Sequence, residues 1–416
     1  MDKTFDPPIQ KGTPPPVASR ARSKAGSGWG TDTKLSRAGE TWSANVEYGK
    51  SIGHSDAPDL GQRYLVQKEI AHGGMGTVFK GMDREVGRAI AIKILREKHQ
   101  GNADLVKRFI EEAQITGQLQ HPGIAPIYEI GYLSGRLPYF TMKLIEGHTL
   151  DRLLRQRRDM RERLAYFIGV FGQVAQTMAY AHAKGVLHRD LKPHNVMVGE
   201  FGEVQVIDWG LAKVLSVTLG AKMPSTFASL AGSIRTIRSE PQEQESSVQT
   251  KVGAIIGTPA YIAPEQARGE ESRMGTPSDV FGLGAILCEI LTGHPPFQGA
   301  TGLESCDKAC RCDLQEAHAR LNGCGADGAL VDLAMACLAA DPGARLPHAG
   351  EVAARVVAYQ EAVGMRAREA DLELVKAEMA AIASCKRRGM VRFFAVIIAV
   401  LLAFGAWLWV CHSGGK

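Results

Sequence analysis

One stretch of the chain decides how the rest is interpreted: His188-Arg189-Asp190-Leu191-Lys192-Pro193-His194-Asn195. It places a carboxylate, Asp190, and an amide, Asn195, close together in a predicted loop. An aspartate in such a loop can accept the proton of an attacking hydroxyl, and amide and carboxylate oxygens are ligands that magnesium prefers. Asp208, in Asp208-Trp209-Gly210, follows a short predicted β pair and supplies a second metal ligand. The pattern predicts one metal-phosphate site that combines Asp190, Asn195 and Asp208.

A glycine-rich run lies upstream of this stretch, between two predicted strands, and reads Ala71-His72-Gly73-Gly74-Met75-Gly76-Thr77-Val78. Residues without a Cβ let backbone amides approach an anion closely, which makes the run a candidate phosphate-binding turn. An ordinary β-turn explains the same run equally well.

A lysine follows in the next predicted strand, Ala89-Ile90-Ala91-Ile92-Lys93-Ile94-Leu95. A lysine among apolar strand residues favours an acidic partner and an anionic ligand. Glu112, on the predicted helix from Leu105 to Leu119, is the natural partner. A lysine that simply faces solvent is the alternative interpretation.

Composition limits the function classes. The chain has 416 residues, of which 45% are hydrophobic and 22% charged, as in globular proteins. A net charge of +5 is small for this length and gives no reason to expect a nucleic-acid partner. The closest cysteine group, Cys306, Cys310, Cys312 and Cys324, lacks the paired spacing of a zinc site, so we expect reduced thiols and no metal there.

The texture of the chain changes near residue 61. Residues 1–60 are rich in Pro, Gly and Ser and are predicted to form a disordered arm. Short strands with one helix follow over residues 61–145, and helical periodicity dominates residues 146–358. The fold class is therefore α+β, with a small β-rich lobe before a larger helical one.

The C-terminal part is predicted to anchor the chain in a membrane. The predicted span, residues 391–411, is uncharged from Phe393 to Cys411 and long enough to cross a bilayer as a helix, and only the short tail 412–416 follows. Basic residues before the span favour a single-pass protein of the cytoplasmic membrane with its preceding domain in the cytoplasm. A buried core helix is the alternative. Residues 359–390 are predicted as a helical linker, either a plain spacer or a dimerising coiled coil, so a homodimer stays open. We expect no sensor domain outside the cell.

The run Gly257-Thr258-Pro259-Ala260-Tyr261-Ile262-Ala263-Pro264-Glu265 completes an ordered set of signatures that begins with the glycine-rich run. On these motifs, residues 61–357 resemble the eukaryotic-type serine/threonine protein kinases that are found widely in bacteria. The resemblance implies a two-lobed kinase fold, with lobes 61–145 and 146–358 in a domain over 61–358, and with an activation segment over 208–265. It also implies ATP, Mg²⁺ or Mn²⁺ as cofactors and Ser/Thr-containing proteins as substrates.

The resemblance assigns a role to each matching residue. It implies Asp190 as catalytic base, Lys192 on the γ-phosphate, and Lys93 on the α- and β-phosphates held by Glu112. It implies Asn195 and Asp208 as metal ligands. The residues implied to surround ATP are those of the glycine loop, the adenine pocket and the hinge: Ala71, Gly73, Gly76, Val78, Ala91, Lys93, Met142, Lys143, Leu144, Ile145 and Met197.

Four further matches are implied to support the site rather than to react. Thr258 resembles the threonine that supports Lys192 and the substrate hydroxyl, Asp279 the aspartate that braces the catalytic loop, and Glu265 with Arg345 the buried ion pair of the large lobe. The chain departs from the pattern at Ala71, where a glycine is usual, and at Trp209, where phenylalanine is usual. Neither departure removes a charged catalytic group. We expect the Trp209 ring to pack on His188 and on the helix that carries Glu112.

The activation segment is rich in hydroxyl side chains: Ser225, Thr226, Ser229, Ser233, Thr236, Ser239, Ser246, Ser247 and Thr250. Arg189, just before Asp190, can pair with a phosphate on this segment. We therefore expect a non-specific serine/threonine protein kinase that phosphorylates its own activation segment. A disordered insertion without regulation, a membrane-tethered pseudokinase that only docks partners, and a kinase of small molecules are the alternatives.

Overall fold

The computed structural model describes residues 60–133, 136–215, 234–236 and 259–413. The predicted N-terminal arm, apart from residue 60, and Thr258 lie outside these residues. Of the hydroxyl-rich segment predicted to be phosphorylated, only Thr236 lies within them.

An antiparallel sheet forms the first lobe. Its five strands lie in the order β1-β2-β3-β5-β4. They are β1 Tyr64–His72, β2 Gly76–Asp83, β3 Arg88–Leu95, β4 Ile127–Tyr132 and β5 Pro138–Lys143. Helix α1, Ala103–Gln118, packs against β4 and β5. Phe109 of α1 is fully buried against Phe140 of β5, with ring centroids 5.1 Å apart. This contact sets the position of α1 on the sheet.

Helices form the second lobe. They are α2 Leu150–Arg155, α3 Leu164–Ala183, α4 Pro264–Ala267, α5 Thr276–Thr292, α6 Gly302–Arg311, α7 Gln315–Gly323, α8 Gly328–Cys337 and α9 Ala349–Ser413. Helix α5 lies at the centre, because Val280 to Leu291 are all buried and α5 contacts α3, α7, α8 and α9. A helix with apolar side chains on every side is typical of a core position.

Short strands between the lobes place the catalytic segments. Strand β6, Gly147–Thr149, pairs with β8, Val196–Gly199, which pairs in turn with β9, Val204–Val206. Strand β7, Val186–Leu187, pairs with β10, Lys213–Val214. The catalytic stretch begins directly after β7 and ends where β8 starts, and Asp208 follows β9. The hairpin between β8 and β9 thus brings Asn195 and Asp208 to the same end of this small sheet.

The fold class predicted from the sequence is confirmed: a β-rich lobe precedes a larger helical lobe. The predicted lobe boundary at residues 145 and 146 falls in the connection between β5 and β6. Helices α6 and α7 were not predicted. Their few buried apolar side chains give too weak a pattern to identify a helix.

Helix α9 is continuous over 65 residues. Its first turns pack on α3, where Val352 and Val356 are fully buried, and most of the rest is exposed. Within it, Lys386–Trp407 has a mean hydropathy of 2.3 with none of it buried, which makes it, by length and composition, a candidate membrane span. The predicted linker 359–390 and the predicted span 391–411 are therefore consecutive parts of one helix, with no break between them.

Candidate active site

Lys93 lies where the two lobes meet. Its Nζ is 2.5 Å from Oε1 of Glu112 on α1 and 3.7 Å from Oδ1 of Asp208. The Lys93 side chain is 13% exposed and that of Glu112 6%. Burial by itself lowers the pKa of Lys93, but the carboxylates of Glu112 and Asp208 outweigh burial and raise it. Lys93 is therefore a firmly charged ammonium group that points into the cleft, and the alternative of a solvent-facing lysine does not apply.

Glu112 binds this ammonium group from a buried position. Burial raises the pKa of Glu112 against the attraction of Lys93. Among the described residues, its second oxygen, Oε2, is buried without a hydrogen-bond partner. A Cβ at Gly210 would come within 3.2 Å of this oxygen and 3.3 Å of Asp208 Oδ1. Glycine after Trp209 thus allows the two carboxylates to share one lysine.

Asp279 of α5 holds the predicted catalytic loop through hydrogen bonds to its backbone. Its Oδ1 accepts the Arg189 amide at 2.8 Å, and its Oδ2 accepts the His188 amide at 2.9 Å. Arg189 has a φ of 69°, a left-handed conformation that is costly for a residue with a side chain. Although burial raises the pKa of Asp279, His182, His188 and the Arg189 amide lower it further, so the group is a carboxylate. Its charge and two acceptor oxygens hold Arg189 in the conformation that turns the chain towards Asp190.

His182 was not identified from the sequence. It lies buried on α3, and its Nε2 is 2.9 Å from Asp279 Oδ2. The backbone amide of Ala349, the first residue of α9, donates to His182 Nδ1 at 3.2 Å. Since Nδ1 accepts, Nε2 carries the proton and donates to Asp279. One polar chain thus joins the start of α9 to the catalytic loop.

Asp190 is surrounded by donors. Lys192 Nζ donates to its Oδ2 at 2.8 Å, and Asn195 Nδ2 donates to its backbone oxygen at 2.8 Å and to its Oδ2 at 3.1 Å. Because the Asn195 nitrogen is used in this way, its Oδ1 is the atom left to face a metal. The aspartate, the lysine and the amide of the opening stretch therefore form one connected group.

Asp208 follows β9 with a φ of 63°, the second left-handed residue of the site. Its side chain is half exposed and faces the cleft. Partial burial raises its pKa, but Lys93, His188 and Lys192 together lower it, so the carboxylate stays ionised. Trp209 fills the space behind it: the indole is 2% exposed, lies 4.7 Å from the His188 ring and donates Nε1 to Val206 O at 3.2 Å. The expected packing of Trp209 on His188 is present.

These groups fit a nucleotide with a divalent metal. Asp208, Asn195 and Asp190 present carboxylate and amide oxygens, the ligand type of magnesium. Glu112, Asp190 and Asp208 outnumber Lys93 and Lys192, so the site carries excess negative charge that a divalent cation would balance.

Strand register places the predicted adenine residues beside Lys93. Val78 of β2 lies directly opposite Lys93, and Met142 of β5 lies opposite Ala91, two residues before Lys93 on β3. Directly opposed residues and residues two apart share one face of a sheet, so Val78, Ala91 and Met142 line the face that carries the lysine. Met197 lies on β8 in the other lobe, opposite Gln205. These four residues lie on the two sides of the inter-lobe connection.

The remaining predicted nucleotide residues lie in two loops. Ala71 is exposed near the end of β1, opposite Val78, and the Gly73 amide donates to Gly76 O at 2.9 Å. Gly76 is buried, and a Cβ there would come within 2.9 Å of Ile94 O. The hinge residues Lys143, Leu144 and Ile145 are half-buried, at the last residue of β5 and in the connection to β6. The Lys143 amide donates to Pro126 O at 3.1 Å, so this amide is already used and the other backbone groups are those left for adenine.

The Glu265–Arg345 pair has the expected geometry. Both side chains are fully buried, and the guanidinium binds the carboxylate through two bonds of 2.7 and 2.9 Å. Although burial raises the pKa of Glu265, Arg345 and the Ser278 hydroxyl lower it further. Next to it, Gln266 Nε2 donates to Arg189 O at 2.5 Å and ties α4 to the catalytic loop.

Comparisons with known proteins agree with this geometry. Residues 64–357 match the family described as protein kinase domain. The chain is 39% identical over 248 residues to the serine/threonine-protein kinase PknD of Protochlamydia amoebophila, covering 57% of this chain and 24% of that protein. It is 38% identical over 250 residues to PknD of Chlamydia trachomatis serovar L2b, covering 58% and 26%. The chain spans about a quarter of the length of these curated relatives. With most of its residues in the matched region and the catalytic set assembled, the chain belongs to the protein kinase domain family.

Proposed function

We propose that the chain is an active serine/threonine protein kinase that transfers the γ-phosphate of ATP to Ser and Thr hydroxyls of proteins. One observation carries the proposal: Lys93 contacts Glu112 at 2.5 Å while Asp208 lies 3.7 Å from the same ammonium group. Phosphoryl transfer depends on positioning and on stabilisation of negative charge, and this arrangement provides both. The relatives that share the matched region bear the name serine/threonine-protein kinase, which supports the proposal.

Each residue then has one task. Lys93 binds the α- and β-phosphates, Lys192 binds the γ-phosphate, and Asp190 orients the attacking hydroxyl and accepts its proton. Asn195 and Asp208 would hold Mg²⁺, which neutralises charge on the phosphates when it is bound. Mn²⁺ takes the same kind of oxygen ligands and would serve in its place.

Transfer of labelled phosphate from ATP to a generic protein substrate tests the proposal. Lys93→Met and Asp190→Asn should abolish transfer. Lys107→Met on the exposed side of α1 and Asp332→Asn on the exposed side of α8 are matched controls that should keep it. Wild-type protein that binds ATP but transfers no phosphate would refute the kinase proposal and favour the docking module, for which Ala71 in the glycine loop is the one sequence feature.

Autophosphorylation of the activation segment is part of the proposal. Among the described residues, Arg189 Nε is buried without a hydrogen-bond partner. Burial lowers the pKa of the Arg189 guanidinium, Glu271 and Asp279 raise it, and Arg108 of α1 lowers it again. A buried guanidinium with an unused donor favours a bound anion, and a phosphorylated hydroxyl of this segment supplies one. Mass spectrometry after incubation with ATP is the test, and an absence of phosphate between residues 215 and 258 would contradict it.

We place the kinase domain at the cytoplasmic face of a membrane, held by residues 391–411. The apolar part of α9 is exposed, and basic residues lie where the candidate span begins; both features support this orientation. Cell fractionation and protease protection are the tests. Recovery of the full-length chain in the soluble fraction would contradict the anchor.

A homodimer through α9 completes the proposal. Leu372, Val375, Met379 and Ile382 are exposed and alternate by three and four residues, as the apolar positions of a coiled coil do. Two copies anchored in one membrane are parallel, and Asp371 of one helix would then face Lys376 of the other in the arrangement that favours parallel pairs. Cross-linking at Val375→Cys in membranes should give a covalent dimer. The matched control is a cysteine on the opposite side of the helix. Arg368 is not suitable for this control, because it lies on the same side as the apolar stripe.

A further inference from the structure

Part of the activation segment contacts the helix that carries Glu112. The backbone amide of Arg235 donates to Gln118 Oε1 at 3.0 Å, and Gln118 Nε2 donates to Arg235 O at 2.6 Å. Gln118 is the last residue of α1. One carboxamide therefore binds both backbone groups of one residue, as a neighbouring β-strand would.

The residues on either side of Arg235 strengthen this contact. Ile234 is 6% exposed and belongs to the same apolar cluster as Ile115 of α1 and Trp209. Thr236 is 8% exposed, and its hydroxyl donates to Glu111 Oε1 at 3.3 Å. Residues 234–236, which we name the strap, are thus fixed on α1 by the two hydrogen bonds of Gln118 and by the Thr236 hydroxyl, while Ile234 is buried in the apolar cluster.

The strap is attached to the helix that carries Glu112 of the ion pair with Lys93. Glu111 and Glu112 are adjacent on α1, so a force that moves Glu111 away from Thr236 also moves Glu112. Lys93 requires Glu112 within hydrogen-bond distance, and the two are 2.5 Å apart while the strap is in place. The position of α1 and the attachment of the strap are therefore coupled through one helix.

We propose that the strap holds α1 where Glu112 pairs with Lys93, and that phosphorylation of Thr236 releases the strap and lowers kinase activity. The transfer itself rests on the proposed function. The Thr236 oxygen forms a bond to the γ-phosphorus of ATP, the bond between that phosphorus and the β–γ bridging oxygen breaks, ADP leaves, and the hydroxyl proton passes to the catalytic aspartate of the kinase that acts.

Charge explains why this hydroxyl acts as a release point. A phosphate carries nearly two negative charges, and beside a carboxylate it separates the two groups by repulsion and by the cost of desolvation. Glu111 is the carboxylate that Thr236 contacts. A phosphate on Thr236 therefore disfavours attachment of the strap to α1, whereas a phosphate beside Arg189 favours an ordered activation segment. The two kinds of modification would have opposite effects on activity.

The first experiment exchanges charge at the contact in the full-length protein. Thr236→Glu should lower kcat by about tenfold or more, because like charges would meet at a nearly buried site. Glu111→Gln in the same chain should restore kcat to within about threefold of wild type, since the repelling carboxylate is gone. Thr236→Val keeps the packing and should stay within the same range. A Thr236→Glu chain with wild-type kcat, or one that Glu111→Gln does not restore, would overturn the proposal.

The second experiment follows α1 directly and needs no kinase activity. Amide hydrogen exchange of α1 should rise in Thr236→Glu and in Gln118→Ala, and it should not change in Gln120→Ala, an exposed glutamine just beyond the helix. Unchanged exchange in Gln118→Ala would refute the strap. If the wild type transfers no phosphate at all, the proposed function fails while this measurement still decides whether the strap holds α1.

The third experiment asks whether Thr236 is modified. The Asp190→Asn chain, which cannot phosphorylate itself, is incubated with wild-type protein and ATP and is then mapped by mass spectrometry. Phosphate on Thr236 supports the proposal. Phosphate elsewhere in the activation segment with none on Thr236 overturns it.

Discussion

Replacing Asp279 by asparagine tests how the catalytic loop is held. Asp279 accepts hydrogen bonds from His182 and from the amides of His188 and Arg189. Asparagine has the same size but only one acceptor oxygen, and its nitrogen must face a donor. His182 cannot change tautomer to accept, because its Nδ1 already receives the Ala349 amide.

The expected loss of stability follows from the asparagine orientation that gives up fewer hydrogen bonds. The retained oxygen keeps the two bonds to His182 and His188, so the amide nitrogen faces Arg189 N–H, and one hydrogen bond to a charged acceptor is lost, worth about 1.5–3 kcal/mol. The same bond holds the left-handed Arg189, a conformation that itself costs roughly 1–3 kcal/mol. We expect the free energy of unfolding to fall by about 2–4 kcal/mol. Because Asp190 is the next residue, we expect kcat to fall by about 100-fold.

Phosphate transfer at saturating ATP gives kcat, and thermal unfolding of the same preparation gives stability. The KM for ATP should change little, because Lys93 lies on the other lobe. Asp332→Asn, an exposed carboxylate on α8, serves as the matched control and should leave both quantities unchanged. A folded Asp279→Asn chain with kcat within about threefold of wild type would refute the reasoning that this carboxylate places Asp190.

Three further predictions follow from contacts described above. Gly76→Ala should lower the midpoint of thermal unfolding, because its Cβ would come within 2.9 Å of a carbonyl oxygen of β3. Gly74→Ala places its Cβ in open space and should leave the midpoint unchanged, so equal midpoints for the two variants would contradict this prediction. Arg345→Met should cost about 3–5 kcal/mol of stability at neutral pH by leaving a buried carboxylate unpaired. The pKa of Glu265 is below its ordinary value of 4.5, so the wild type should lose this stabilisation as the pH falls through that folded-state pKa, and a flat acid profile would refute the assignment. Removing residues 386–416 should move the chain from the membrane pellet to the supernatant and keep its kinase activity; a chain that stays in the pellet would refute the anchor.

Local patterns were sufficient to predict the fold class. The strand that carries Lys93 and the helix that carries Glu112 both follow from apolar periodicity and turn residues within a few positions. The ordered motifs then gave the candidate catalytic residues, and the structure brings three of them, Lys93, Glu112 and Asp208, together.

Polar contacts between distant segments could not be predicted in the same way. His182 lies on an apolar helix, and its acceptor Asp279 is 97 positions away, so no local pattern links them. Gln118 is a helix-end residue of ordinary type whose partner is 117 positions away. Gly76 was assigned to phosphate binding, yet the structure gives it a second reason, the close approach of β3. Such contacts depend on the assembled fold.

The continuity of α9 sets the distance between the kinase domain and the candidate membrane span. From Val356, the last fully buried residue, to Lys386, where the candidate span begins, the helix rises by about 1.5 Å per residue, or roughly 45 Å in all. An unbroken helix keeps this height nearly constant, because no hinge lets the domain bend towards the lipid. The cleft would therefore work at a set distance above the bilayer. Hydroxyl groups of proteins that lie flat on the membrane would be too low to enter it, while soluble proteins and tall membrane proteins would present theirs at the right level.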